Sequence, residues 1–88
     1  MITVLVIDDS EVARQAFQSG VEDPQTTVVE APGGQAALAL LRSNPNIKLA
    51  FCDMNMPEMT GLEFLVEKAK DPKIAGIPVV MLSAVSNL

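Results

Sequence analysis

Three acidic residues stand directly after apolar runs of the sequence, where they could form one site. Asp8 and Asp9 follow the run Ile2–Ile7, and Asp53 follows the short run 49–52. If these runs form neighbouring strands of a parallel sheet, all three carboxylates lie at the same edge of that sheet. Two unit charges about 4 Å apart repel by about 4 kcal/mol at an effective dielectric of about 20. Such a cluster therefore needs a counter-charge or a proton.

A hard divalent cation with oxygen ligands would meet that need. Mg²⁺ typically binds one or two carboxylates and keeps waters for a phosphoryl donor. Beside such an ion, Asp53 could act as a nucleophile toward phosphorus and form an aspartyl phosphate. Ser83, directly after the apolar run 79–82, could donate a hydrogen bond to a phosphoryl oxygen.

Each of these residues also has an ordinary structural explanation. Asp8 or Asp9 alone is more often a helix cap or a turn residue. Asp53 alone could simply end a strand, and Ser83 alone carries little weight. Only the combination of the three acids favours chemistry.

Strand and helix patterns alternate along the chain and would bring these residues together. Apolar, β-branched runs predict strands at 2–7, 26–30, 48–52 and 79–82, with Asp53 ending the third. Helical periodicity predicts helices at 11–21 and 35–42 and a third that starts near Thr60, where Thr60-x-x-Glu63 forms a capping box. This order predicts an α/β fold, a doubly wound parallel sheet with right-handed crossovers and helices on both faces.

Spacing also predicts which face of each helix is buried. The inner face of the first helix would comprise Val12, Ala13, Ala16, Phe17 and Gly20. That of the third would comprise Leu62, Leu65, Val66 and Ala69. Lys68 and Lys70 would lie near the end of the third helix, where cations favour the helix dipole.

Composition limits the class of protein. The 88 residues suffice for one domain, and 49% are hydrophobic, which suits a globular core. A net charge of −5 and a pI near 4.4 disfavour direct binding of nucleic acid. The chain has no histidine, so histidine-based catalysis and histidine metal ligation by this chain are excluded. No apolar run approaches the roughly 18 residues of a membrane span, and no signal peptide is evident, so a cytoplasmic protein is expected.

Two other features have a structural and a functional interpretation. Cys52 is the single cysteine, which excludes an internal disulfide. Its apolar neighbours favour a core residue over a reactive thiol. Met54, Met56 and Met59 are closely spaced, and loop packing is favoured over a soft-metal site because no thiolate partner is evident.

Four segments of the chain match, in order, those of a known family. They are 4–10 (VLVIDDS), 30–38 (EAPGGQAAL), 53–63 (DMNMPEMTGLE) and 78–84 (PVVMLSA). Along its length the chain thus resembles the receiver domain of bacterial two-component response regulators, the fold typified by the chemotaxis regulator. The resemblance implies that a histidine kinase or phosphotransfer protein donates a phosphoryl group.

The same resemblance implies a role for each site residue. Asp53 would be the phosphoacceptor and also a Mg²⁺ ligand, and Ser83 would be the switch hydroxyl. Asp9 would be a direct Mg²⁺ ligand, and Asp8 would act through water. The main-chain carbonyl of Asn55 would complete the ligands from the protein.

The chain also departs from the family pattern. The family has a fifth strand, usually ending in a lysine, and further helices, whereas this sequence ends at Leu88 with no lysine after Ser83. The expectation is an incomplete receiver domain over residues 1–88, with strand order 2-1-3-4 and three helices. In the family that lysine contacts the phosphoryl group, so its absence predicts impaired switching. The fourth strand would be an open edge, which predicts self-association through that edge or by domain swapping.

Two other functions remain open at this point. One is a phosphatase or phosphotransferase that uses an aspartyl intermediate, although that class usually has Asp-x-Asp where this chain has Asp53-Met54-Asn55. The other is an interaction module with a vestigial acidic site. The leading hypothesis is a regulatory phosphoacceptor domain and not an enzyme with its own substrate.

Overall fold

Strands and helices alternate throughout the structure, a computed structural model that describes residues 2–82. The elements are β1 (Ile2–Ile7), α1 (Glu11–Gly20), β2 (Thr26–Ala31), α2 (Gly34–Ser43), β3 (Ile47–Asp53), α3 (Gly61–Ala69) and β4 (Val79–Leu82). The four strands are parallel and lie in the order β2-β1-β3-β4. The predicted fold class and strand order are confirmed.

The register of the sheet aligns the carboxyl ends of its two central strands. Ile7, the last residue of β1, lies opposite Cys52 of β3 on one side and Ala31 of β2 on the other. All three of these side chains are buried. The next residues along β1 and β3 are Asp8 and Asp53, so both acids emerge at the same edge of the sheet.

Helix α1 buries less than its sequence predicts. None of its ten residues, all of which are described, is buried, and Val12 is 76% exposed. Phe17 of this helix packs against Phe51 of β3, and their ring centroids are 4.8 Å apart. Right-handed crossovers place α1 on the opposite face of the sheet from α2 and α3, so within residues 2–82 it has no neighbouring helix on its own face. The predicted inner face is therefore wrong for Val12, Ala16 and Gly20, which are exposed.

Helix α3 is rotated relative to its prediction. Phe64 and Lys68 are buried, whereas Leu62 and Val66 are 59% and 56% exposed. The Lys68 side chain packs its aliphatic part inward, and its Nζ donates to the carbonyl oxygen of Ala75 at 2.8 Å. Burial lowers the pKa of this amine. The predicted inner face is therefore wrong for Leu62, Val66 and Ala69, which are exposed, and it left out Phe64 and Lys68.

Gly61 allows α3 to start directly against the end of β3. A Cβ at this position would lie 2.9 Å from the carbonyl oxygen of Asp53 and 3.1 Å from the Cα of Met54. It would also collide with the methyl group of Met81. The Gly61 amide donates to the Met54 carbonyl oxygen at 3.0 Å, which ties the loop after β3 to the helix.

Gly61→Ala is expected to lower the free energy of unfolding by about 1–3 kcal/mol, because the backbone of the acceptor loop must move to admit the methyl group. Gly76→Ala is the matched control, since no described heavy atom lies within 4 Å of its Cβ position and its φ is not positive. That control should be neutral or slightly stabilising. Urea denaturation measures both, and equal midpoints for the two variants would contradict the close approach at Gly61.

Candidate functional site

The carboxyl ends of β1 and β3 bring three carboxylates together. One oxygen from each of Asp8, Asp9 and Asp53 lies within 4.8 Å of the others. Asp8 and Asp53 are half-buried, and Asp9 is exposed. The sequence predicted this convergence, and no other acidic or cysteine cluster of comparable size is found among residues 2–82.

Hydrogen bonds fix the loop that carries the first two acids. The Ser10 amide donates to Asp8 Oδ1 at 2.9 Å, and Ser10 Oγ accepts from the Ala13 amide at 3.2 Å. Ser10 is thus the N-cap of α1. The loop leaves Asp8 oriented and keeps Asp9 open to solvent.

Arg14 holds the same loop from the other side, a role that sequence reasoning missed. Its Nη1 donates to the main-chain carbonyl oxygen of Asp8 at 2.6 Å, and its Nε donates to Glu30 Oε1 at 2.9 Å. The Arg14 side chain is only 14% exposed. It therefore links the acidic loop to the end of β2. Its partner Glu30 is 16 residues away in the sequence, so the pairing leaves no local signal.

The loop after β3 is anchored at both ends. The Asn55 amide donates to Asp53 Oδ1 over 3.4 Å, a long hydrogen bond. At the far end, the predicted capping box is present, because the Thr60 amide donates to Glu63 Oε1 and the Glu63 amide donates to Thr60 Oγ1. Ligation by the Asn55 carbonyl remains a prediction. Ser83 lies outside the described residues.

The cluster has no internal counter-charge within residues 2–82, where none of its acids forms an ion pair. Burial raises the pKa of Asp8, the charges of Asp53 and Asp9 raise it further, and the hydrogen bond from the Ser10 amide opposes them. Burial, with the charges of Asp53 and Asp8, raises the pKa of the Cys52 thiol to about 11. Cys52 is fully buried and neutral at pH 7, in agreement with a core residue.

The raised pKa of Asp8 predicts a pH-dependent stability. The folded state holds the Asp8 proton more tightly than the unfolded state. The contribution of Asp8 to the free energy of unfolding therefore falls as the pH rises from 3.8 through the raised pKa. Asp8→Asn keeps an oxygen for the Ser10 amide and removes the charge. Without divalent metal at pH 7, this variant should be more stable, by about 1 kcal/mol or less, the scale of water-screened charge pairs.

Asp71→Asn is expected to change the free energy of unfolding in the opposite direction, and urea denaturation measures both variants. The hydrogen bond and ion pair from Arg42, 2.8 Å away, lower the pKa of Asp71. Removing this charge should destabilise the fold at pH 7, and the loss should fade as the pH falls below 3.8 toward the lowered pKa. Equal signs for Asp8→Asn and Asp71→Asn at pH 7 would contradict this electrostatic account.

A cleft of about 350 Å³ opens beside the acidic cluster, between the loop before α2 and the loop after β3. Asp9 forms one wall, and Gly33, Gly34, Met56, Pro57 and Met59 are among the other lining residues. Met56 is buried and Met59 packs against the core, in agreement with loop packing by the methionines. The cleft leaves room for a ligand next to Asp9.

Residues 4–88 match the family model of the response regulator receiver domain. The chain belongs to this family. Receiver domains generally bind Mg²⁺ at an acidic pocket and interact with histidine kinases or phosphotransfer proteins. The resemblance found in the sequence is thereby confirmed.

Individual relatives agree with the family assignment. The two-component response regulator ORR5 of rice (Oryza sativa subsp. japonica) is 38% identical over 81 residues, which cover 92% of this chain and 60% of that protein. The chain thus spans about three fifths of that relative's length. Within residues 2–82, none of the helices has the length and apolar character needed to span a bilayer.

Solved structures of receiver proteins superpose closely on the chain. The N-terminal domain of a response regulator receiver protein from Methanoculleus marisnigri JR1 gives a TM-score of 0.88 at 33% identity, covering 96% of this chain and 68% of that one. Chemotaxis protein CheY4 of Vibrio cholerae gives 0.82 at 32% identity, covering 92% and 67%. These neighbours share the flavodoxin-like receiver fold.

Proposed function

We propose that this receiver domain accepts a phosphoryl group on Asp53 in a Mg²⁺-dependent step. The observation that carries the proposal is the approach of three carboxylates to within 4.8 Å of one another at the carboxyl edge of the sheet. The donor would be a histidine kinase or a phosphotransfer protein, as in two-component systems. The protein would act in the cytoplasm and without direct contact with nucleic acid.

The residues of the cluster suit a hard divalent cation. All three side chains offer carboxylate oxygens, which Mg²⁺ prefers, and no soft ligand is among them. Asp9 and Asp53 would bind the ion directly, Asp8 through water, and the Asn55 carbonyl would complete the protein's ligands. When bound, Mg²⁺ would supply positive charge that offsets the repulsion between the carboxylates and the phosphoryl oxygens.

The chemical step belongs to Asp53. One of its carboxylate oxygens would attack phosphorus, and the new O–P bond would form as the P–N bond of a phosphohistidine breaks. The electron pair of that bond would return to the imidazole nitrogen of the donor. Ser83 would then donate its hydroxyl hydrogen to a phosphoryl oxygen, a role that stays a prediction from the family resemblance.

Acetyl phosphate with Mg²⁺ distinguishes this function from the alternatives. We expect one phosphoryl group per chain, attached at Asp53, without turnover of an unrelated phosphate ester such as p-nitrophenyl phosphate. Steady turnover of that ester would favour a phosphatase. The absence of both labelling and Mg²⁺ binding would favour an interaction module with a vestigial site.

We also infer self-association through β4. Within residues 2–82 this strand pairs with β3 alone, and Val80 on it is 43% exposed. An apolar strand with open hydrogen-bonding groups readily pairs with another chain. Light scattering should therefore show a mass that rises with concentration, and a constant monomer mass would contradict this inference. Impaired switching stays a prediction.

A further inference from the structure

Two large apolar side chains on α3 take no part in the core. Leu62 and Val66 are 59% and 56% exposed, and their spacing of four residues places them side by side on one face of the helix. Phe64, Leu65 and Lys68 make the inward contacts of α3 instead. The exposed pair is therefore available for another contact.

The exposed pair lies in a groove of about 530 Å³ at the outer surface of α3. We call it the α3 groove, and its lining residues are Gln35, Glu58, Met59, Leu62, Glu63, Val66 and Glu67. The apolar pair thus lies between polar margins, and the groove is open to solvent along the helix. This arrangement is typical of grooves that receive the apolar face of a helix.

The charge of the α3 groove has a single sign. Its lining includes the carboxylates of Glu58, Glu63 and Glu67 and no cation. Lys70 lies outside the lining and pairs with Glu67 at 3.0 Å, an exposed pair that water screens. The groove therefore combines an apolar centre with an acidic margin.

We propose that the α3 groove binds a basic amphipathic helix of a partner protein. Apolar residues of that helix would cover Leu62 and Val66, and its lysines or arginines would face the acidic margin. A second copy of this chain fits poorly, because the two acidic margins would face each other on proteins that each carry a net charge of −5. Asp53 is not among the residues that line the groove, so the proposal does not depend on phosphorylation.

A synthetic helix tests the proposal on the full chain. The probe is a peptide of about 15–18 leucines and lysines with leucines at helical spacing, long enough to form a helix when bound. The control peptide has the same composition in an order that gives no apolar face. Amide chemical shifts and calorimetry report the site and the affinity.

The expected result is binding of the amphipathic peptide with shifts confined to Gln35 and residues 58–67, and much weaker binding of the control peptide. The double variant L62S/V66S should lose affinity by at least roughly tenfold, as for anchors at the centre of an interface. Val12→Ser, which changes a valine that is 76% exposed on α1, should leave the affinity unchanged.

A second double variant, E58Q/E67Q, tests the acidic margin without altering the apolar pair. It should weaken binding and reduce the dependence of affinity on salt. Shifts centred on Asp8, Asp9 and Asp53, equal affinity for L62S/V66S, or concentration-dependent shifts at 58–67 without peptide would each overturn the proposal. The last of these would indicate a second copy as the occupant.

Discussion

Asp53→Asn is expected to reduce covalent phosphorylation of the chain to background. The amide is a far weaker nucleophile than the carboxylate it replaces. Asp8 and Asp9 follow β1, so neither of them occupies the position of Asp53 at the end of β3. Asparagine has nearly the same shape and keeps an oxygen to accept from the Asn55 amide, so the loop should be preserved. Intact-mass spectrometry after incubation with acetyl phosphate and Mg²⁺ measures the result.

Asp23→Asn is the matched control for this substitution. Asp23 is an exposed acid in the turn between α1 and β2, where its oxygens accept from Gln25 and Thr26. Its variant should acquire one phosphoryl group to the same extent as the unaltered chain. Labelling of the Asp53→Asn variant at the normal level would assign the acceptor to another residue and contradict the proposed function.

Asp9→Asn is expected to weaken Mg²⁺ binding by at least roughly 10- to 100-fold. Removal of a residue that hydrogen-bonds to a metal ligand commonly weakens metal affinity by about this factor. Removal of a direct ligand should weaken the affinity at least as much. Asp9 is exposed, so the substitution should leave the core and the fold intact. Because the chain has no tryptophan or tyrosine, calorimetry is preferable to intrinsic fluorescence for the measurement.

Glu11→Gln separates ligation from general electrostatic attraction. This variant removes the same charge two residues away, at the exposed first turn of α1, from a residue that is not part of the cluster. Water and salt screen such a charge, so the change in affinity should be less than about threefold. A loss as large as that of Asp9→Asn would show that net charge, and not a ligand at Asp9, governs the binding of the metal.

The strands and the acids that follow them could be predicted because each depends on short-range patterns. The strand order was predicted from the family resemblance. Continuous apolar runs followed at once by Asp8 and Asp53 indicate buried parallel strands and the residues at their ends. Once β1 and β3 are neighbours, the meeting of their acids follows from the geometry of the sheet. The capping box at Thr60 likewise fixed the start of α3 from sequence.

Helix orientation and long-range polar contacts could not be predicted in the same way. Spacing identified apolar residues on α3, but Leu62 and Val66 lie outside because Phe64 and the stem of Lys68 fill the inner face. A long side chain can bury its methylene groups while its charged end reaches a carbonyl, which hydropathy does not register. The link from Arg14 to Glu30 was missed for a related reason, since only the folded chain brings α1 and β2 together.

We propose that Asp8, Asp9 and Asp53 form one Mg²⁺ site that serves Asp53. An amide chemical-shift titration of the unaltered chain with Mg²⁺, followed by beryllofluoride as a mimic of the phosphoryl group, tests it most directly. We expect the resonances of residues 8–10 and 53–55 to shift together with a single dissociation constant, and beryllofluoride to cause further shifts only when Mg²⁺ is present. Unchanged resonances at saturating Mg²⁺, or different constants for the two loops, would contradict it.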